Sequence, residues 1–169
     1  MKITDIPEFK DKNKLLIMKS TETVESAVKQ MVKYNYGSAI VIDDKKLSGI
    51  FTERDLLVKI VAEGKDYKSI LIAEAMTRNV KTAHLDDNVY DSMRRMSQGR
   101  FRHLPVVDDK GFVVGMISQG DFVAITWTQL FQQFKSNTKM SFSSKTQIWM
   151  FIISIFTYLA LIYLLITKL

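Results

Sequence analysis

Two stretches of the chain carry apolar residues at every third or fourth position, and each is followed by two short apolar runs. The helical-spacing residues are Val24, Ala27, Val28 and Met31 in the first stretch, and Val89, Met93 and Met96 in the second. This spacing predicts two amphipathic helices. Side-chain oxygens just before them, at 21–23 and 86–88, can cap the helix N termini.

The apolar runs after each predicted helix are rich in β-branched residues and are separated by a polar turn, which predicts a β-hairpin. The runs lie at 39–42 and 47–51 in the first stretch, and at 104–107 and 112–117 in the second. The turn at 108–111 gives the stronger signal, because its glycine tolerates the positive φ that tight hairpin turns require. The turn at 43–46 has no glycine. Further helices are predicted to begin near Thr52 and Ser118.

These two stretches are copies of one sequence unit, since residues 23–57 align with residues 88–123. Matched positions include Val41-Ile42-Asp43-Asp44 with Val106-Val107-Asp108-Asp109, Gly49 with Gly115, Thr52 with Ser118, and Asp55 with Asp121. A unit of this length does not bury its apolar face alone. Two copies therefore predict a pseudo-symmetric pair rather than a solenoid.

A run without formal charge, Ile148–Thr167, stands near the C terminus. A helix of about 20 residues, at about 1.5 Å of rise per residue, spans roughly 30 Å, the thickness of the hydrocarbon core of a bilayer. We therefore expect a single transmembrane helix at 148–167, after a polar tether at 135–147. A long buried core helix is the alternative interpretation.

The net charge of +6 is unevenly placed along the chain. All 18 acidic residues precede residue 122, whereas Lys135, Lys139, Lys145 and Lys168 follow it. Lysines next to a membrane span favour a cytoplasmic soluble domain and attract anionic lipids. Residues 1–121 carry 20 Lys/Arg and 18 Asp/Glu. This near balance of charge does not favour nucleic-acid binding.

The composition also restricts the chemistry that the chain can perform. The chain has no cysteine, which excludes disulfides and thiolate metal sites, and its histidines are His84 and His103. No pairing of a nucleophile with a base stands out in the sequence. We therefore expect that the chain is not an enzyme and holds no metal.

Each copy closes on a hydroxyl residue followed three positions later by an aspartate: Thr52 and Asp55 in the first, Ser118 and Asp121 in the second. One interpretation is structural, with the hydroxyl capping a helix and the acid in its positively polarised first turn. The other is a ligand site, because helix N–H groups and a hydroxyl suit a phosphate, and a carboxylate accepts two hydrogen bonds from a ribose diol.

The repeat, its paired closing motifs and the sequence HLPVVDD in the second copy resemble a tandem pair of cystathionine-β-synthase (CBS) domains, the Bateman module. The resemblance covers roughly residues 9–130. It implies an α/β (α+β) fold of two pseudo-symmetric βαββα units at 9–71 and 72–134, packed sheet to sheet around two clefts. In this family the clefts commonly bind AMP, ADP, ATP or S-adenosylmethionine, and the role is regulatory without a required cofactor.

Carried over by position, the resemblance places Thr52 near phosphate and Asp55 on ribose in one cleft, and Ser118 and Asp121 likewise in the other. The other residues that it implies for the first cleft are Met18, Gly37, Ser38, Ala39 and Arg54. Those that it implies for the second cleft are Lys81, Arg102, His103, Leu104, Pro105 and Gly120.

Three cationic or titratable residues allow more than one role. Arg54 either contacts phosphate or pairs with a surface acid. Arg102 and His103 precede a strand, and both side chains could reach a polyphosphate. The alternative for His103 is a half-buried side chain that forms a hydrogen bond within the protein. The first copy has the uncharged Gly37-Ser38 at the matching place. We therefore hypothesise that the second cleft prefers ligands with more phosphate groups than the first cleft does.

The resulting expectation is a membrane-tethered regulatory module that binds an adenosine-type ligand and signals to a partner protein. The expected partners are the ligand, the lipid bilayer, a second copy of the chain through the CBS units, and a membrane protein. An apolar stripe at Trp127, Leu130, Phe131 and Phe134 either packs on its own domain, contacts a partner or lies at the membrane interface. The alternative functions are a ligand-free interaction scaffold and a nucleic-acid-binding variant of the module.

Overall fold

A computed structural model describes residues 1–6, 9, 15–141 and 145–167 of the chain. The chain divides into two units, Met1–Phe122 and Val123–Leu169, and each is described by itself. The first unit contains the first copy of the repeat and the second copy up to residue 122. The second unit contains most of one long helix and all of another.

The elements of the first copy follow the predicted order. They are β1 (Ile17–Met18), α1 (Val24–Tyr34), β2 (Ser38–Asp43), β3 (Lys46–Thr52) and α2, which is an α-helical turn at Glu53–Asp55 continued by a π-helical segment at Leu56–Val61. The short helix α3 (Ile72–Ala75) follows. The second copy comprises β4 (Ala83–His84), α4 (Val89–Gly99), β5 (His103–Val107), β6 (Val113–Ser118) and α5 (Gln119–Ser141). The last helix is α6 (Lys145–Thr167).

The two copies form separate three-stranded sheets with one topology, β1-β2-β3 and β4-β5-β6. In each sheet the middle strand runs parallel to the short first strand and antiparallel to the third. Even the break in register falls at matching places, between Val41 and Ile42 and between Val106 and Val107. The predicted pair of βαββα units is therefore confirmed.

The amphipathic helices of the two copies begin at the predicted caps. The hydroxyl of Thr23 accepts a hydrogen bond from the backbone N–H of Ser26, and the side chain of Asn88 accepts from those of Tyr90 and Asp91. Such caps satisfy N–H groups that lack a partner within the helix. Each helix ends at a residue with left-handed backbone, Asn35 or Arg100.

The buried faces of these helices match position for position. The buried residues are Val24, Ala27 and Met31 in α1, and Val89, Ser92 and Met96 in α4. Met93, which the helical spacing assigns to the apolar face, is 38% exposed. The small hydroxyl residue Ser92 takes the core position instead, and hydrophobicity alone does not identify it because serine is polar.

Short segments outside each copy complete its fold. The backbone N–H groups of Ile72 and Ala73, at the start of α3, donate to the carbonyls of Glu22 and Ser20 in the first copy. At the N terminus, those of Ile3 and Thr4 donate in the same way to Asp87 and Leu85 in the second copy. The side chains of Ile72 and Ala75 are part of the core of the first copy. The division between the copies at 71/72 stays a prediction.

The two hairpins differ in their turns. The first has a two-residue connection, Asp44-Lys45, in which both residues have positive φ, 48° and 65°. The second places Gly111 at φ 80°. The first turn thus adopts the backbone that normally selects glycine, without having one.

Among the residues that the structure describes, no helix is long and apolar enough to cross a membrane. This finding gives no support to the predicted transmembrane helix at 148–167. In the predicted tether the backbone is helical at 135–141, and residues 142–144 lie outside the described residues.

Candidate ligand-binding site

The first closing motif forms a reciprocal cap at the start of α2. The backbone N–H and the hydroxyl of Thr52 donate to Asp55 Oδ2 at 3.0 and 2.6 Å. The backbone N–H of Asp55 donates back to Thr52 Oγ1 at 3.3 Å. Both residues therefore satisfy the helix terminus, as the structural interpretation of the motif expects.

The second oxygen of Asp55 is held by two residues that the sequence analysis did not single out. Thr77 Oγ1 donates to Asp55 Oδ1 at 2.9 Å, and Lys59 Nζ forms an ion pair with the same oxygen at 2.6 Å. Lys59 Nζ also donates to the carbonyl of Ala75 at 2.7 Å and to Thr77 Oγ1 at 3.3 Å. Asp55 is 6% exposed, so this polar network lies almost entirely out of water.

The second closing motif repeats the cap. The backbone N–H and the hydroxyl of Ser118 both donate to Asp121 Oδ2 at 2.7 Å. Asp121 is half-buried, and Gly120 in the same turn is exposed. Four residues after the aspartate, where the first copy has Lys59, the second has the uncharged Ile125.

The entry of each hairpin is brought against the start of its closing helix. Glu53 N–H donates to the carbonyl of Gly37 at 3.1 Å, and Gln119 N–H donates to that of Arg102 at 2.9 Å. The pairing of the hairpin strands also places Ser38 opposite Thr52 and His103 opposite Ser118. These predicted residues therefore lie beside the predicted motif of their own copy.

The two hairpin entries also approach each other within the first unit. The Ser38 hydroxyl contacts Met116 Sδ at 3.6 Å. A Cβ atom placed on Gly37 would lie 3.4 Å from both His103 Nε2 and Glu53 Oε2. The candidate site thus combines residues of both copies.

The remaining predicted residues divide by burial. Met18, Ala39, Leu104 and Pro105 are buried, whereas Arg102 and Lys81 are exposed. Arg54 Nη1 donates to the carbonyl of Arg100 at 2.8 Å, so it forms a contact between the copies that neither interpretation anticipated. The assignment of these residues to a ligand stays a prediction.

Two further polar features lie outside the motifs. Asp43, at the end of β2, accepts a hydrogen bond from the backbone N–H of Ser20 at 3.1 Å. This bond and one from the Ser48 hydroxyl hold the pKa of the Asp43 carboxyl below its usual value. No group of three or more His, Asp or Glu side chains that could hold a metal ion occurs within the described part of the chain.

The sequence analysis missed Lys59 and Thr77. Lys59 could have been predicted, because an acid and a lysine four positions apart share one helix face. Thr77 could not have been predicted, since its contact with Asp55 depends on how the segment after α3 returns to the sheet. That return is visible in the backbone bridge between Ile50 and Thr77.

With two copies of a βαββα unit and paired caps in place, the class of the protein follows. The chain belongs to the CBS domain family, whose model matches residues 11–62 and 72–126. The resemblance stated from the sequence is thereby confirmed for the CBS pair. Regulatory rather than catalytic roles are typical of this family.

Among curated proteins, the chain is 37% identical over 129 residues to the CBS domain-containing protein CBSX3, mitochondrial, of Arabidopsis thaliana; the match covers 72% of this chain and 62% of that protein. It is 36% identical over 107 residues to CBSCBSPB1 of the same plant, with coverage of 63% and 20%. The chain therefore spans from about a fifth to about three fifths of these relatives' own lengths.

Solved structures agree with the fold. A signal-transduction protein with CBS domains from Burkholderia ambifaria MC40-6, described as putative, has a TM-score of 0.70 at 29% identity, covering 75% of this chain and 93% of that one. The CBS domain pair of protein MJ0100, solved in complex with 5-methylthioadenosine and S-adenosyl-L-methionine, has a TM-score of 0.67 at 31% identity, with coverage of 76% and 98%.

Proposed function

We propose that this chain is a regulatory module that binds an adenosine compound in its CBS clefts and passes the binding event to a partner protein. The duplicated pair of hydroxyl and carboxylate at the starts of α2 and α5 is the observation that carries the proposal. The similarity to a CBS pair that was solved with 5-methylthioadenosine and S-adenosyl-L-methionine supports the ligand class. AMP, ADP and ATP belong to the same candidate class.

The chemistry of the second motif suits such a ligand. Backbone N–H groups at the N terminus of the long helix α5 are donors for a phosphate or carboxylate oxygen, and the Ser118 hydroxyl becomes a further donor when it turns from Asp121 to the ligand. The Asp121 carboxylate is an acceptor for the two hydroxyls of a ribose. Arg102, exposed at the hairpin entry beside this motif, adds a positive charge for additional phosphates.

Calorimetric titration of the full chain with AMP and with S-adenosylmethionine tests the proposal. We expect binding, and we expect Asp121→Asn to weaken it by roughly 10- to 150-fold, the loss of a charged hydrogen-bond acceptor. Asp109→Asn, which makes the same change of charge in the exposed turn of the second hairpin, is the matched control. No binding of any adenosine compound would favour the ligand-free scaffold instead.

Selectivity among nucleotides depends on the hairpin entry of the second copy in this proposal. Arg102→Ala and His103→Ala are expected to lower the preference for ATP over AMP, because the matching residues of the first copy, Gly37 and Ser38, carry no charge. An unchanged ratio of the two affinities in both variants would reject this role.

The proposed signalling requires surfaces for other chains. Leu57, Val58 and Val61 on the π-helical segment are exposed apolar residues, which supports a homodimer through the CBS units. Trp127 and Phe131 on α5 are exposed as well, which supports contact with a partner protein. Light scattering of the full chain tests the dimer, with Val58→Lys expected to shift it to a monomer and Lys45→Glu as an exposed control.

Localisation at a membrane, with the CBS units on the cytoplasmic side, stays a prediction from the sequence. Separation of cell extracts into membrane and supernatant fractions tests it directly. Recovery of the full chain in the supernatant without detergent would reject it.

A further inference from the structure

We infer that Lys59 is an extra residue in the closing helix of the first copy, α2, and that its polar side chain selects a π-helical register over an α-helical one. The register decides whether residue 59 or residue 60 is buried. It also decides whether α2 is joined to the segment that leads to the second copy. This choice is a property of the fold and involves no ligand.

The backbone hydrogen bonds at the end of α2 enclose one residue more than those of a regular α-helix. The N–H of Ala62 donates to the carbonyl of Leu57 at 2.9 Å, and that of Lys65 donates to the carbonyl of Ile60 at 3.0 Å. Both bonds span five residues, which is the π-helical pattern, whereas an α-helical bond spans four. Single π-helical turns inside α-helices are rare and are frequent at functional sites.

The closing helix of the second copy, α5, reaches its buried positions with one residue fewer. Phe122 and Ile125, three positions apart, are buried there, and Thr126 is exposed. The positions of the first copy that match the last two hold Lys59 and Ile60. Ile60 is nevertheless the buried residue, with 2% exposure, and Lys59 is half-buried. The buried position has moved by one residue, and the π-helical turn accommodates Lys59 as the extra one.

The contacts of Lys59 explain why the π-helical register is preferred. Its Nζ forms an ion pair with Asp55 at 2.6 Å and donates to the Ala75 carbonyl at 2.7 Å and to the Thr77 hydroxyl at 3.3 Å. In an α-helical register Lys59 would take the buried position that Ile60 holds. Burial of an ammonium group without its partners is costly, and the apolar burial of Ile60 would be lost at the same time.

The π-helical register also joins α2 to the segment that leads to the second copy. Ala75 at the end of α3 and Thr77 just after it belong to that segment. Thr77 is in turn joined to β3 by two backbone hydrogen bonds with Ile50, at 2.8 and 3.0 Å. An α-helical register would withdraw the Lys59 ammonium from this segment. The two registers therefore differ in whether the closing helix, the sheet and the connecting segment are held together.

Cysteine labelling of the full chain tests the register, because the chain has no cysteine of its own. Ile60→Cys is expected to react slowly with a maleimide, since residue 60 is buried. In the double variant Lys59→Ile/Ile60→Cys, position 59 offers an apolar side chain for the buried place. The helix is then expected to adopt the α-helical register and to expose position 60, so that the labelling rate rises at least tenfold.

The matched control is Lys59→Gln/Ile60→Cys, which removes the ammonium but offers no apolar side chain at position 59. Its labelling rate is expected to stay within about threefold of that of Ile60→Cys alone. Val61→Cys, at an exposed position, gives the rate of an accessible thiol. Equal labelling rates in the Lys59→Ile and Lys59→Gln backgrounds, or fast labelling of Ile60→Cys by itself, would overturn the inference.

A second variant gives an independent measurement that retains a complete apolar core. Lys59→Ile/Ile60→Thr repeats the residues that the second copy has at the matching positions. In this variant the N–H of Ala62 is expected to donate to the carbonyl of Val58, four residues earlier, instead of that of Leu57. Solution NMR of the full chain identifies the acceptor through hydrogen-bond couplings. Retention of Leu57 as the acceptor would show that residue 59 does not select the register.

Discussion

The two copies of the CBS unit share one motif but use it in different surroundings. In the first copy the motif aspartate is buried and joined to Lys59 and Thr77, so that it connects α2 to the segment after α3. In the second copy Ile125 replaces the lysine, and the aspartate remains half-buried. The difference teaches that one sequence motif can enter different surroundings in two repeats, depending on the residue that stands one helical turn after the aspartate.

The largest expected effect comes from removal of the two aspartates. Asp55→Ala removes the carboxylate that Lys59 and Thr77 share and is expected to lower the free energy of unfolding by about 2–3 kcal/mol. The value lies below that for a fully buried pair because the Lys59 side chain is 35% exposed. Asp121→Ala is expected to cost about 1 kcal/mol, the loss of a cap. Urea unfolding of the full chain, followed by circular dichroism, measures both.

Equal losses in the two variants would contradict this comparison. The double variant Asp55→Ala/Lys59→Met is the control. It is expected to be more stable than the sum of the single effects predicts, because removal of both charges leaves neither of them buried alone.

The second prediction concerns Gly49 and Gly115, two hairpin glycines that lie close to other parts of the chain. A Cβ on Gly49 would lie 2.5 Å from Met76 Sδ and 3.1 Å from the backbone carbonyl of Thr77, and the carbonyl cannot turn aside. Gly49→Ala is therefore expected to cost about 1–3 kcal/mol. In the second copy a Cβ on Gly115 meets the ring of Phe9, which is a side chain, and the cost there is expected to be smaller.

Thermal unfolding of the two alanine variants tests this ranking. Met76→Ala in the Gly49→Ala background should restore part of the lost stability, since it removes the nearer obstacle. A neutral Gly49→Ala would show that the segment after α3 does not lie as close to the sheet as described.

The third prediction concerns the two hairpin turns, where one substitution is expected to stabilise the fold and the other to destabilise it. Lys45 has φ 65° without being glycine, so Lys45→Gly is expected to stabilise the fold by about 0.5 kcal/mol. Gly111→Ala, at φ 80° in the second turn, is expected to destabilise it by about 1 kcal/mol. Melting temperatures of the two variants should move in opposite directions, and movement in the same direction would reject the description of the turns.

The smallest expected effect concerns the segments that complete each copy. Lys2 Nζ pairs with Asp86 at 2.8 Å in the second copy, whereas the matching positions in the first copy are Leu71 and Thr21. Through this pair the pKa of Lys2 is raised and that of Asp86 is lowered. Its contribution to stability is therefore lost as the pH falls through the lowered Asp86 pKa, and also as the pH rises through the raised Lys2 pKa.

Asp86→Asn tests this contribution, because it removes the ion pair at an exposed position. The difference in melting temperature between the wild type and Asp86→Asn should be largest at neutral pH and should shrink below about pH 4. Asp109→Asn, an exposed carboxylate elsewhere in the same copy, should show no such dependence. A constant difference at all pH values would contradict the pairing.

Much of the fold was predictable because the repeat, the helical spacing and the hairpins are local patterns that occur twice. The caps at Thr23 and Asn88 and the helix starts after Thr52 and Ser118 were predicted correctly. The exposure of Met93 was not, because the helix face that the sheet covers is decided by packing. The transmembrane helix was predicted from the absence of charge over a long run, and the described residues do not support it.

The candidate site was predictable to a smaller extent. Sequence alignment of the copies identified the hydroxyl and the aspartate, and strand pairing places Ser38 and His103 opposite the hydroxyls. The contact between Arg54 and the Arg100 carbonyl was not foreseen, because it joins residues of different copies. Such contacts depend on how the two copies are placed against each other, which no local pattern records.

By itself, the sequence determined that this chain carries two CBS-type units with a hydroxyl–aspartate motif in each, because spacing, turns and repeats are local properties of the chain. The tertiary structure alone decided that the segments after α3 and at the N terminus complete the two units, and that Thr77 meets Asp55. The physical reason is that a buried carboxylate needs donors wherever the fold can provide them, and the donor that completes this network stands 22 residues away along the chain.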